Sequence, residues 1–170
     1  EFIDAQQDQL REAKELFNNA PNLIATIKKT VEEMSDLKKQ VEGFMQERIT
    51  IIASELVTKA TEKNGIKIIT YKTDLSADMV RAIAAQLRGR FAAEKFLLVI
   101  GSVVEGKPSL TVGLSQSLVD ASFNANQLVR EAAKEIDGNG GGQAFMATAG
   151  GKNAAGIEKA IDKVLVQLNL

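Results

Sequence analysis

Through the first third of the chain, apolar residues recur every three or four positions, the spacing of a single stripe on an α-helix. Ile3, Leu10, Ala13 and Phe17 make a short helix over residues 2–18, broken by Asn18-Asn19-Ala20-Pro21. Pro21 suits the first position of a following helix, where a missing N–H costs nothing. From there to about Lys63 the stripe continues through Leu23, Ile24, Ile27, Val31, Met34, Leu37, Val41, Phe44, Met45, Ile49, Ile52 and Leu56. Glu32, Glu33, Lys38, Lys39, Glu42 and Glu47 fill much of the other face. A helix of roughly 40 residues is about 60 Å long, too long for a small domain to cover. Two arrangements are open. In a helical hairpin, the short helix folds back on the first half and a globular part covers the second. In an intermolecular coiled coil, Ile27, Val31, Met34, Val41 and Ile49 meet a second copy, although Gly43 and the Phe44-Met45 doublet interrupt a clean heptad. Asn64-Gly65 reads as the helix stop.

Beyond Gly65 the period changes. Ile66 to Tyr71 reads as a strand, and Ser76 or Asp74 can cap a helix over 77–91 with Met79, Val80, Ile83, Ala84, Leu87 and Phe91 inward. Phe96-Leu97-Leu98-Val99-Ile100 is a buried strand, Gly106-Lys107-Pro108-Ser109 a turn, and Leu110 to Leu114 a returning hairpin strand. A helix over 124–136 follows, then a glycine-rich loop from Gly138 to Gly142, a short strand over Ala144–Ala149, a turn at Gly150-Gly151-Lys152-Asn153 and a last helix over 154–168. The expected organisation is α+β, with α/β-like alternation in its second part. A helical region, 1–64, precedes a globular mixed-sheet domain, 65–170, with the order β-α-β-β-α-β-α.

Composition narrows the chemistry. The 170 residues include neither Cys nor His. Zinc and iron–sulfur centres draw mainly on those ligands, and no Ser-His-Asp or Cys-His pair can be assembled. The absence of disulfides fits a cytoplasmic setting. No apolar run approaches the length of a membrane span, so no membrane partner is expected. The opening residues, charged and polar, do not read as a signal peptide. The chain begins at Glu1 rather than Met, which points to a piece of something longer. Net charge is −1, with the acidic excess in the helical region and a small basic excess after it. Nucleic-acid binding through a dense phosphate-neutralising surface is excluded, leaving a local patch or shape recognition. Arg81, Arg88, Arg90 and Lys107 read as solvated, Phe123 and Phe145 as core. Asp74, Asp78, Asp120 and Asp137 lie in separate connections, where capping accounts for them more simply than metal binding.

The strongest local signal is the run from Gly138 to Gly151, in which two glycine clusters flank a short strand. Glycine admits positive φ and close backbone approach. Such a segment can aim several N–H groups one way, as an anion nest, or it can be glycine-rich for geometry alone. No Lys-Ser or Lys-Thr leads into a helix, so it is not a P-loop.

Gly140-Gly141-Gly142 and Ala149-Gly150-Gly151, at this separation, resemble the signature of the DHH-associated domain that alanyl-tRNA synthetases carry at the C-terminus. The hairpin from Leu98 to Ser115, the last helix and the long charged helix are similar too, so the resemblance covers most of the chain and is stronger over 65–170. Members often carry Arg, then a Pro-Asp pair, after the triplet; here Gln143, Ala144 and Phe145 stand there. The phosphoesterase relatives usually place His at the position of Gln143, which favours the synthetase branch. The resemblance implies a domain without catalysis of its own that holds the elbow of tRNA for alanine, supports aminoacylation and editing, and in some members mediates a homodimer. It implies no cofactor in this chain, with ATP, Mg and Zn used elsewhere in the parent. The expected contacts are Asn139, Gly140, Gly141, Gly142, Gln143, Gly150, Gly151, Lys152 and Asn153. A self-association module and the substrate lobe of a DHH-type phosphoesterase are the alternatives.

Overall fold

The computed structural model describes residues 2–170 and their side chains from residue 3 onward. The chain divides into two compact units, the first ending at Gln46 and the second being Glu47–Leu170. Helix α1 (Phe2–Leu16) and most of helix α2 (Leu23–Thr58) belong to the first. Asn22 caps α2, its Oδ1 accepting from the Ala25 N–H at 3.1 Å, so Pro21 stands outside the helix rather than opening it.

The first unit buries little apolar surface. Ile3, Leu10, Ile24, Val31, Met34, Val41 and Phe44 are exposed, whereas Ala13, Phe17, Leu23 and Ile27, on either side of the break, are half-buried, so any face shared by α1 and α2 is confined to the residues next to that break. With so few apolar positions, α1 has little area to offer against the entropy of ordering two helices.

The second unit is built on a six-stranded sheet: β1 (Thr61–Lys63), β2 (Ile66–Thr73), β3 (Phe96–Val104), β4 (Lys107–Leu114), β5 (Asn139–Gly142) and β6 (Met146–Gly150), in the spatial order β1-β2-β3-β4-β6-β5. Only β2 and β3 run parallel, joined through helix α3 (Ala77–Arg90); the other neighbours are antiparallel. Between β4 and β5 lie the short α4 (Gln116–Asp120) and α5 (Ala125–Ala133), and α6 (Ile157–Gln167) closes the chain.

Both sheet faces are covered, so the central strands read as unbroken apolar runs rather than alternating ones. Along β3, Leu97 and Val99 enter one core with Val129, Ala132, Ile157, Ala160 and Val164 of α5 and α6. Phe96, Leu98 and Ile100 enter the other with Met79, Ile83 and Leu87 of α3. The same second core takes Ile49, Ala53 and Leu56 from the end of α2. Ile49 is therefore 6% exposed and part of the globular core, not of an intermolecular seam. The result is three layers: α5 and α6, the sheet, then α3 with the last turns of α2. This is the α+β mixed-sheet class read from the sequence.

Several boundaries differ from the sequence reading. Asn64-Gly65 is not the helix stop but the turn of the β1–β2 hairpin, with φ of 54° and 72°. Positive φ at both central residues is the type I′ geometry favoured by paired, right-twisted strands. The helix has already ended at Thr58, so the sheet begins before residue 65. Glu105-Gly106, with φ of 50° and 76°, is the matching turn between β3 and β4, and Lys107 and Pro108 already belong to β4. The run from Gly138 to Gly142, expected as a loop, is largely the strand β5.

Candidate functional site

The β5–β6 hairpin sits at one edge of the sheet, pairing Asn139 with Gly150, Gly140 with Ala149, Gly141 with Thr148 and Gly142 with Ala147. Steric closeness explains much of its glycine. A Cβ on Gly140 would lie 2.5 Å from the Cα of Ala149, and one on Gly142 2.7 Å from the Cα of Ala147. A Cβ on Gly138 would meet the Cα of Gly151 at 2.7 Å, and one on Gly151 would meet Ile136 Cγ1 at 2.7 Å. Gly150 faces open space.

Several N–H groups of this region are already engaged. Gly151 donates to Pro108 O at 3.0 Å, Lys152 and Asn153 both to Ile136 O at 2.9 Å, and Gly138 to Ala133 O at 3.0 Å. Gly140 donates to the side-chain oxygen of its neighbour Asn139 at 2.8 Å. Of the two readings of the glycines, these bonds favour backbone geometry over an anion nest, because turn and strand contacts take up the donors of Gly138, Gly140, Gly151, Lys152 and Asn153.

What the backbone builds instead is a place. Lys107 and Pro108 from the start of β4, Asp137 to Asn139 from the entry to β5, and Gly150 to Lys152 from the exit of β6 line an open depression of about 470 Å³. Asp137 turns the chain into it with φ of 50°. Lys107 and Lys152 are exposed and have no ion-pair partner among the described residues. Two cations from different segments, with Asp137 beside them, thus border a shallow surface floored by bare glycine. Arg88 Cζ lies 4.4 Å from the centre of the Phe145 ring at the opposite end of the hairpin. The Arg88 Nε donates to Leu114 O at 2.9 Å, and burial pulls its pKa below the usual guanidinium value.

The expected contact residues therefore divide. Asn139, Gly150, Gly151 and Lys152 come together in the depression; Gly140, Gly141 and Gly142 run along the edge strand away from it. Gln143 is exposed at the hairpin turn, where its N–H donates to Met146 O at 2.8 Å. By strand rise that turn is about 13 Å from Asn139. Asn153 is half-buried and its Nδ2 donates to Glu135 O at 3.4 Å, so it supports the turn rather than facing outward. Lys107 read as solvated in the sequence, with nothing local to tie it to Lys152. Arg130, whose Nε donates to Gly140 O at 3.3 Å, carried no local signal either. Sheet register brings Lys107 to the depression, and helix packing brings Arg130 to the edge strand beside it.

The fold and this hairpin define a class: the chain belongs to the DHHA1 domain family, whose model matches residues 36–169. Among curated relatives, the alanine–tRNA ligase of Bacteroides thetaiotaomicron is 48% identical over 165 residues, covering 97% of this chain. The chain spans 19% of that relative's length. The crystal structure of the C-Ala domain from Aquifex aeolicus alanyl-tRNA synthetase superposes with a TM-score of 0.54 at 26% identity, over 61% of this chain and 91% of that one. RecJ of Thermus thermophilus, solved in complex with Mg²⁺, gives a TM-score of 0.53 at 14% identity, over 93% of this chain and 22% of that one, a likeness of fold alone.

Proposed function

We propose that this chain is the C-terminal, non-catalytic part of an alanine–tRNA ligase and that the open end of its glycine hairpin holds tRNA for alanine at the elbow. On this reading it keeps one bound tRNA available to the aminoacylation and editing sites of the parent, a cytoplasmic enzyme. ATP, Mg and Zn are handled by other parts of that parent; this chain has no His or Cys to offer a metal. Similarity to ligases along nearly the whole chain supports the parentage. One observation carries the site: Lys107 and Lys152 both line a glycine-floored depression, against the single carboxylate of Asp137, in a protein whose net charge is only −1. A shallow surface with few cations suits a folded RNA corner, which offers unpaired bases and 2′-hydroxyls as well as phosphates. Filter binding with tRNA for alanine and with duplex DNA tests it. The tRNA should bind more tightly, and Lys107→Glu with Lys152→Glu should weaken it about tenfold or more, as expected for two phosphate-facing cations turned repulsive. Equal weakness for tRNA and duplex sinks the reading.

A second role is favoured by the apolar stripe of α2. Val31, Met34 and Val41 are exposed and Ile27 half-buried, so self-association into a homodimer is a companion proposal. Sedimentation at several concentrations decides it; a monomer throughout removes it. A lobe for a DHH-type phosphoesterase needs a metal site supplied by another domain, and the likeness to RecJ bears on fold only.

A further inference from the structure

We propose that Arg88, held against Phe145 at the tip of the β5–β6 hairpin, is a second phosphate contact for the RNA, separate from the lysine-bordered depression. The inference rests on the RNA-holding reading and extends it to the other end of the same hairpin.

Three elements position this one cation. It leaves α3 near its C-terminal end and crosses β4 at Gly113, where a Cβ would stand 3.3 Å from Arg88 Cδ. The bare strand position gives the stem its path. Nε is anchored on Leu114 O at 2.9 Å, and the ring of Phe145 lies against the guanidinium at 4.4 Å. Neither Nη1 nor Nη2 has a hydrogen bond or carboxylate partner among the described residues. A half-buried guanidinium normally recovers its lost hydration from a carboxylate. Here one carbonyl and one ring do part of that, and burial lowers the pKa of the group. One edge and one face are used. The paired Nη groups remain, and a planar fork of N–H donors fits a phosphate in a two-point contact better than it fits a single base acceptor.

The neighbouring arginines of α3 differ. Arg81 pairs with Asp78 at 2.7 Å, and Arg90 donates to Ser54 Oγ at 3.1 Å. Arg88 alone of the three is fixed in place with its fork unspent. Fixing the side chain beforehand removes much of the ordering entropy a free arginine would lose on binding.

The test uses the whole 170-residue chain and a labelled transcript of tRNA for alanine, titrated at several salt concentrations. Arg88→Gln should weaken binding about tenfold and lower the slope of log affinity against log salt by about one, the signature of one lost phosphate contact. Arg88→Lys should keep the slope and recover only part of the affinity, since it has charge without the fork. Affinity and slope equal to the parent's in Arg88→Gln overturn the inference, as does lost affinity at an unchanged slope, which marks a purely structural staple. If Arg88→Gln lowers the melting temperature, Arg88→Lys carries the test: full parental affinity there overturns it. Lys152→Gln separates the two claims. Weaker binding in Lys152→Gln with none in Arg88→Gln leaves the RNA-holding reading standing and removes this contact; a parent chain that does not bind the transcript removes both.

Discussion

Inside the core, the Ser115 hydroxyl accepts the N–H of Phe96 at 2.9 Å. Ser115 is 2% exposed and Phe96 fully buried, so water cannot replace that acceptor. Ser115→Ala should cost about 1–3 kcal/mol, the usual penalty for a buried donor left unpaired, read as a lower urea midpoint at unchanged slope. Glycines of one motif should behave oppositely. Gly140→Ala drives a methyl into the backbone of Ala149, which cannot retreat without breaking the strand pairing, and should cost about 1–3 kcal/mol. Gly150→Ala enters open space and should stay within about 0.5 kcal/mol of the parent. Thermal melting of the two variants side by side checks this. The motif was legible in the sequence; which of its glycines is sterically required was not, because that depends on the approach of another strand.

At the scale of elements, local chemistry wrote much of the fold. Ser76 was readable as the cap of α3, and its hydroxyl does accept from the Met79 N–H at 3.5 Å. The apolar face of α3 was readable from its 3.6-residue period. The edge strand β5 was not, since four residues of Asn and Gly have no strand propensity and become a strand only because β6 offers its edge. One contact between elements yields a pH prediction. Lys72 of β2 hydrogen-bonds Glu158 of α6, and that bond first, then the ammonium charge, holds the Glu158 carboxyl below its usual pKa. A depressed folded-state pKa contributes stability that is present above the unfolded carboxylate pKa and lost as pH falls through the folded one. Both side chains are exposed, so salt screens the effect. Glu158→Gln should therefore be slightly less stable than the parent at neutral pH and low salt. The gap should close in acid and in high salt, as followed by melts across pH.

For the whole molecule, the compact second unit draws its core from Ile49 onward. A chain reduced to residues 47–170 should unfold cooperatively with a melting temperature near that of the parent. Starting at residue 59 removes Ile49, Ala53 and Leu56 and uncovers α3, so that shorter chain should be far less stable. Leu56→Ala in the parent should itself cost about 2–5 kcal/mol as a core truncation. A 47–170 chain without a cooperative transition would show that the first unit is needed for folding.

Taken alone, the sequence determined the longer helices (but not the short α4), the central strands, the exclusion of thiol and imidazole chemistry, and the location of the glycine signature. All of these are local, set by periodicity, capping and residue type within a few positions. Tertiary structure alone decided that Ile49 is core while Val31 is exposed, that the N–H groups of Gly138, Gly140 and Gly151 are bonded internally, and that Lys107 and Lys152 border one depression. It also decided that Arg88 lies on Phe145. Each of these depends on two segments distant in the chain being brought into register, and neither segment carries a mark of the other.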